Sequence, residues 1–398
     1  MEIEQITINA VLFSVSAGIT YLLIHATLHT PLVLLFVDPP NARKVHTMPI
    51  PRIGGLAIIG SVLAMLLFWY VLSGAGFLPS PSGEFFLAIL LSIVTLGVFG
   101  FLDDSKYVTM QVRHKLLAVI FLALTTVYLF NMHPGQIAVF DLFVIPEFWS
   151  KILSVLWIIG LVNAFNLVDG LDGLAGTVTV VSFTGIFILA QITGNWEASV
   201  LSLTVAGATI GFLIHNAPPA KIFMGDTGSL FLGFIVAALT LNVSPGIPDG
   251  KVLLVLPLLA GIPVLEVFVT IVRRFFRAND LGHSIKEIVG FIVTADCSHI
   301  HHRFLFRGFS HLETCVLVGV LAAILAGGAI AIFLAPGWLA VLIAVYLIIP
   351  LVIALHRLGF GGRFGRALNW NKTVNDDYHT PEFIGVIESD GKLYKYPP

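Results

Sequence analysis

The sequence predicts an all-α polytopic membrane protein with about 11 transmembrane helices, and three observations predict it. Apolar residues make up 57% of the 398-residue chain and charged residues 11%, with a mean hydropathy of +0.96; soluble domains carry about 25% charge. The apolar residues gather into runs long enough to cross a bilayer, which takes about 20 residues. These runs do not alternate apolar with polar side chains, which excludes a spanning β-barrel. The same numbers exclude disorder and a soluble globular fold. The net charge of −2 offers no basic surface, so no nucleic acid is expected as a partner. Cys297 and Cys315 make neither a disulfide framework nor a zinc pattern.

The candidate spans, in order, are 6–36, 53–73, 85–102, 115–130, 151–165, 173–193, 197–214, 226–242, 251–272, 313–334 and 337–356. The first is far longer than a signal-peptide core and reads as a retained span, with a shallow extra turn at Pro31. The fifth is short, and its end is the least defined. Between the fourth and fifth, 131–150 reads as a small hairpin or surface helix. With the N-terminus outside, 19 of the 21 Lys and Arg fall on the inner side, leaving only Lys151 and Lys251 outside. This positive-inside bias gives an N-out, C-in topology. The reading is one transmembrane catalytic domain over 1–356, containing a cytoplasmic loop at 273–312, followed by a cytoplasmic tail over 357–398. In the tail, Glu382–Tyr396 alternates around Ser389-Asp390-Gly391 and predicts a small β-hairpin. There is no internal repeat.

Polar and ionisable residues gather at the inner helix ends, where function is to be sought. The first cluster is Asp38-Pro-Pro-Asn-Ala-Arg43-Lys44-Val-His46 followed by Pro49-Ile-Pro51-Arg52-Ile-Gly54-Gly55. Adjacent cations beside a Gly-Gly helix start suit a diphosphate, although ordinary positive-inside anchoring accounts for them too. The second is Asp103-Asp104-Ser-Lys106. Paired carboxylates at a membrane boundary repel each other and persist where a metal, a cation or a proton offsets them; Lys106 supplies part of that offset.

The third cluster, Asn163-Ala-Phe-Asn166-Leu-Val-Asp169-Gly170-Leu-Asp172-Gly173, puts four carboxamide or carboxylate side chains into ten residues between two spans. Asn163 and Asn166 share a helix face, and the Asp-Gly pairs make a tight turn. The fourth, Lys221-Ile-Phe-Met-Gly225-Asp226-Thr-Gly228-Ser229, opens a helix with an Asp that reads either as a hard-cation ligand or as a helix cap. The fifth is Asp296-Cys-Ser-His299-Ile-His301-His302-Arg303. Zinc sites prefer other spacings, and Arg303 beside three histidines better suits donors to a phosphate or sugar. Together this inventory suits an Mg²⁺-dependent reaction on a phosphorylated substrate, one reactant being a lipid phosphate.

The five motifs, in this order over about residues 38–310, resemble the polyprenyl-phosphate N-acetylhexosamine-1-phosphate transferases of glycosyltransferase family 4. The resemblance implies transfer of a sugar-1-phosphate from a UDP-N-acetylhexosamine to undecaprenyl phosphate, with release of UMP. Pro51-Arg52-Ile-Gly54-Gly55 and His299-Ile-His301-His302-Arg303 are similar to the UDP-GlcNAc branch rather than the peptidoglycan branch. That implies GlcNAc-1-phosphate transfer starting O-antigen, common antigen, teichoic acid or another envelope glycan, in the bacterial inner membrane. The implied cofactor is Mg²⁺, with Mn²⁺ as an alternative, and a homodimer is implied by resemblance alone.

Position by position, Asp226 matches the metal ligand, with Asn166 assisting at the metal or nucleotide. Asp103 and Asp104 match the essential pair: Asp103 is the base that deprotonates the lipid phosphate, supported by Asp104 and Lys106. Asp169 and Asp172 match positions near the uridine and the metal, and Lys44 a cation near the nucleotide phosphates. Asn163 joins Asn166 as a substrate-binding candidate. His299, His301, His302 and Arg303 match the groups that bind the sugar diphosphate. Direct attack and a two-step path through an Asp-phosphate are both compatible with these residues.

The chain departs from the family pattern at Glu266, where Asp is usual, and at Cys297, where Arg is common. The 277–294 stretch is also longer than usual. These departures bear on the sugar, leaving a 6-deoxy-HexNAc or MurNAc-pentapeptide as alternative donors. Readings of a different class are a transporter and a catalytically silent scaffold. Against the transporter, the acidic residues lie at helix ends rather than near the bilayer midplane, and no repeat is visible.

Overall fold

The computed structural model describes residues 2–38, 49–105, 110–139, 142–248, 250–280, 299–360, 384–387 and 393–396. Helices dominate, as the apolar runs require. They are α1 (Glu2–Leu28), α2 (Gly54–Gly74), α3 (Gly83–Asp104), α4 (Val112–Leu124), α5 (Glu147–Val168), α6 (Leu174–Thr193) and α7 (Trp196–Asn216). These are followed by α8 (Gly225–Val243), α9 (Val252–Ala260), α10 (Ile262–Asp280), α11 (Ile300–Phe306), α12 (His311–Leu334) and α13 (Gly337–Leu355). Ten of the helical segments are long and apolar enough to cross a membrane, and the α9–α10 pair makes an eleventh if counted as one span. The first expected span resolves into α1 and a 3-10 turn at Pro31–Leu35. The fifth proves to be a full-length helix, longer at both ends than its apolar run.

One expected span carries a break. The 251–272 run, read as one span, is broken at Gly261 into two helices at 99°. Gly261 takes φ +59, a conformation that side-chain-bearing residues avoid. Pro263 has no N–H to continue the α9 hydrogen-bond ladder and instead fits the first turn of α10, so the chain turns here rather than continuing. Hydropathy alone cannot see this, because both halves are apolar.

Among the described residues the strands form three small antiparallel pairs. β1 (Val37–Asp38) pairs with β2 (Ile50–Pro51) at the start of α2. β3 (Ile137–Val139) pairs with β4 (Phe143–Ile145), so 131–150, which reads as either a hairpin or a surface helix, holds a hairpin. β5 (Ile384–Ile387) pairs with β6 (Leu393–Tyr396), the hairpin expected in the tail.

The central element is α8, buried along nearly its whole length and packed by α5, α3, α2, α6, α9 and α7. In a bilayer the hydrophobic effect does not drive helix against helix, so close backbone approach through small residues does. Gly55 lies on Gly228, where an added Cβ would come within 2.1 Å of a backbone nitrogen. Gly100 lies on Thr227 in the same way, at 2.3 Å from its Cα, and Gly233 lies on the α5 backbone. At the end of the bundle away from these contacts, Glu197 accepts from the Ser82 amide at 2.6 Å, and Lys251 caps the last carbonyls of α12, Phe333 and Ala335.

Replacing Gly100 by Ala is expected to destabilise the protein by about 1–3 kcal/mol through overpacking against α8. Gly97→Ala, one turn earlier with its nearest neighbour at 3.9 Å, is expected to be neutral or slightly stabilising. Thermal unfolding of the two variants in detergent checks the contrast.

Candidate active site

The site begins with a helix cap. Asp104 closes α3 and is buried, at 5% exposure. Its Oδ1 accepts the Asp226 amide at 3.0 Å; its Oδ2 accepts the Thr227 amide at 2.9 Å and the Thr227 hydroxyl at 2.6 Å. A buried carboxylate is costly unless its oxygens are satisfied. The first turn of α8 supplies amides that have no partner within their own helix and a favourable dipole. Gly225 makes the approach feasible: it takes φ +73, and a Cβ there would lie 2.5 Å from Asp104 Oδ2.

The cap presents Asp226 to three other helices. Lys115, near the start of α4, donates from Nζ to Asp103 Oδ2 at 2.8 Å and to Asp226 Oδ2 at 2.5 Å. Asn166 on α5 donates from Nδ2 to Asp226 Oδ1 at 3.2 Å and to Ser229 Oγ at 3.1 Å, leaving its carbonyl oxygen as the remaining acceptor. Thus α3, α4, α5 and α8 each contribute one polar group to a single cluster.

Lys115 was not singled out in the sequence, where it counted only as a positive-inside charge. The available signal was the Arg113-His114-Lys115 run at the start of an otherwise apolar span. Lys106, the cation expected beside the Asp pair, lies outside the described residues, as does Lys44.

The turn after α5 borders the cluster. Asp172 accepts the Ala220 amide at 3.0 Å, and Asn216 bridges the Gly173 amide at 2.9 Å to the Ile222 carbonyl at 2.8 Å. These bonds, with Phe223 N–H to Pro51 O and the Gly54 and Gly55 amides to Phe223 and Met224, fasten the loop before α8 from both sides. Asn216 is a further residue that the motifs did not flag. Arg52 pairs with Asp38 at 2.9 Å across the β1–β2 bridge.

Asp169 is pushed up to about 8, first by desolvation and then by the charges of Asp226 and Asp104, with Arg52 opposing. Asn163 turns back onto its own helix, donating to the Ile159 carbonyl at 2.7 Å, so the structure does not bring it into the cluster.

The histidines approach from the other side. His299 Nδ1 lies 2.6 Å from Glu266 Oε1, and the Ile300 amide donates to both Glu266 oxygens at 3.0 Å. His301 stacks on His299 with centroids at 5.8 Å and is tilted against His302 at 4.2 Å, while His299 and His302 lie 5.9 Å apart. Its Nε2 is buried without a hydrogen-bond partner and faces Gly170, where a Cβ would sit 2.8 Å away. Burial first, then the neighbouring His302 and His299, hold His301 well below the usual histidine range, so it is neutral. Arg303 is buried beside it and donates to the Leu358 carbonyl at 3.4 Å.

The described residues of the five motifs therefore meet at one end of the bundle. Residues 86–244, which hold the second, third and fourth motifs, match the model of glycosyl transferase family 4. A probable undecaprenyl-phosphate N-acetylglucosaminyl 1-phosphate transferase of Bacillus subtilis is 32% identical over 334 residues, covering 81% of this chain and 84% of the relative. The chain belongs to this family, the polyprenyl-phosphate hexosamine-1-phosphate transferases.

A decaprenyl-phosphate N-acetylglucosaminephosphotransferase of Mycolicibacterium smegmatis is 29% identical, covering 79% of this chain and 80% of its own length. A phospho-N-acetylmuramoyl-pentapeptide-transferase of Clostridium botulinum is 27% identical, covering 81% and 96%. As a member, the protein is a membrane phosphotransferase. Among the described residues, no three His, Cys, Asp or Glu side chains converge on one point. Asp103, Lys115, Asn166 and Asp226 form an open polar cluster at this end of the bundle.

Because Asp104 caps α8, Asp104→Ala is expected to lower stability by about 1–3 kcal/mol by stranding three donors. Asp103→Ala, which leaves Lys115 paired with Asp226, is expected to change it little. Detergent melting curves of both variants check this. Asp169 carries the opposite pH signature to a salt-bridged Asp. Its folded pKa lies above the ordinary 3.8, so the folded state binds the extra proton and stability falls as pH rises from about 4 to 8. Asp169→Asn, measured in ligand-free protein, is therefore expected to stabilise more at pH 8 than at pH 5.

Proposed function

We propose that the protein transfers GlcNAc-1-phosphate from UDP-GlcNAc to undecaprenyl phosphate, with Mg²⁺ as cofactor. The products are polyprenyl-diphosphate-GlcNAc and UMP, and the step initiates a cell-envelope glycan at the cytoplasmic face of the bacterial inner membrane. The observation that carries this reading is Lys115 shared between Asp103 and Asp226: a cation and two carboxylates held together at a helix-end cluster. The orientation rests on the Lys and Arg asymmetry.

The donor set suits Mg²⁺. Oxygen ligands predominate, and Mg²⁺ is commonly held by one or two carboxylates while water and substrate phosphate complete the shell. Asp226, with the carbonyl oxygen of Asn166, would hold it; the charges of Asp226 and Asp104, which add to burial in raising Asp169, mark a place where added positive charge is favoured. When bound, the ion supplies charge neutralisation for the diphosphate and for the departing UMP.

The chain's own groups do the rest. Lys115 draws the lipid phosphate to Asp103, and Asp103 takes its remaining proton. A lipid phosphate oxygen then forms a bond to the phosphorus that bears the sugar, while the bond from that phosphorus to the UMP oxygen breaks. Such reactions depend mainly on positioning and charge stabilisation. His299, His301, His302 and Arg303 would hold the sugar diphosphate opposite the cluster, with Lys44 at the nucleotide phosphates and Asp169 and Asp172 near the uridine. Asp104 acts through its cap as a positioning residue.

The test is UMP release from UDP-GlcNAc by purified protein with undecaprenyl phosphate and Mg²⁺. Release is expected to require the lipid, to stop with EDTA, and to fall at least about 100-fold in Asp226→Ala and Lys115→Met. Release with UDP-MurNAc-pentapeptide and not with UDP-GlcNAc would reassign the donor. Near-normal turnover in both variants would refute the site.

A further inference from the structure

Glu266 sits one turn beyond the bend at Gly261, on α10, and belongs to none of the five motifs. It is 2% exposed, and a carboxylate so buried is retained only where its oxygens are bonded. Both its oxygens accept the Ile300 amide at 3.0 Å, and Oε1 lies 2.6 Å from His299 Nδ1. An ionised carboxylate only accepts, so the proton lies on Nδ1 and His299 keeps Nε2 as its other hydrogen-bonding atom. His299 is stacked nearly parallel on His301, at 11° and 5.8 Å. His301 in turn faces Gly170, beside Asp169, with a buried nitrogen that lacks a partner. A continuous series of contacts thus runs from the bend to the Asp169–Gly170 turn.

We propose that Glu266 is a positioning residue for donor binding: it fixes the tautomer of His299 and the start of α11, and so holds His299 and His301 in register with the Asp169–Gly170 turn. This rests on the transferase reading. The bend at Gly261 gains a purpose by it, since a straight 251–272 helix would carry Glu266 elsewhere. The class of ligand served is a sugar nucleotide diphosphate, because that is the substrate assigned to the histidines. The polyprenyl phosphate meets Lys115 and Asp103 instead.

Glu266→Gln is the informative substitution. It removes the charge that holds His299 Nδ1–H, and whichever way the amide turns its NH₂ lies against the Ile300 amide, a donor facing a donor. The expected result is a KM for UDP-GlcNAc raised about tenfold, the loss of one charge-assisted hydrogen bond at 1.4 kcal/mol per decade. The KM for undecaprenyl phosphate should move less than twofold. Glu266→Asp, which keeps the charge and the tautomer, should recover part of the loss. In a His299→Gln background, Glu266→Gln should add less than twofold, because it acts through His299.

An unchanged donor KM in a folded Glu266→Gln protein would overturn the proposal. So would equal loss for both substrates together with a lowered melting midpoint, or full additivity with His299→Gln. Absence of UMP release by the wild-type protein with every UDP-sugar would instead strike the transferase reading, and is distinguishable for that reason.

Discussion

The structure of the site depends on the Asp104 carboxylate at the first turn of α8. Three donors, two of them backbone amides, converge on that one buried side chain. The bond set joins the end of α3 to the start of the most buried helix in the protein, and so fixes the position from which Asp226 reaches Lys115 and Asn166. The adjacent Asp103 is left on the same helix end, on the other side of Lys115. Two consecutive aspartates thereby divide the work: one caps α8, and its neighbour faces Lys115.

That arrangement needs backbones to come together more closely than side chains allow. Gly225 against Asp104, Gly100 against Thr227 and Gly55 against Gly228 are three such approaches, all in the first turn of α8 or beside it. Lipid supplies no hydrophobic drive for helix pairing, so shape and hydrogen bonding must carry it. Small residues concentrate where the polar cluster is built, and the precision of the cluster follows from them. The loop before α8, stitched to β2 and α2 on one side and to Asp172 on the other, closes the same end of the bundle.

Much of this was legible in the sequence, because the bilayer imposes a strong signal. Length and apolarity located the spans, and the tail hairpin followed from turn residues between short alternating runs, while 131–150 was legible only as a hairpin or a surface helix. The motifs converge because alternating spans return their polar ends to one side. What escaped was geometry that composition does not encode. Gly261 breaks a run that is apolar on both sides. Lys115 looks like any interfacial lysine until α4 is placed against α3 and α8. Asn163 and Asn166 share a helix face, yet only Asn166 meets Asp226, while Asn163 satisfies itself on its own backbone. Glu266 stood out only as a departure from a family pattern, and its partner lies 33 residues away.

The central claim is that the Asp103–Lys115–Asn166–Asp226 cluster is where the diphosphate and the cation meet. An electron cryomicroscopy map of the protein with UDP-GlcNAc and Mg²⁺ tests it most directly. The account predicts the diphosphate against this cluster, an ion on Asp226, and Asp104 still capping α8. A diphosphate bound away from Asp226, for instance at the opposite end of the bundle among Glu197 and Asn242, would contradict it.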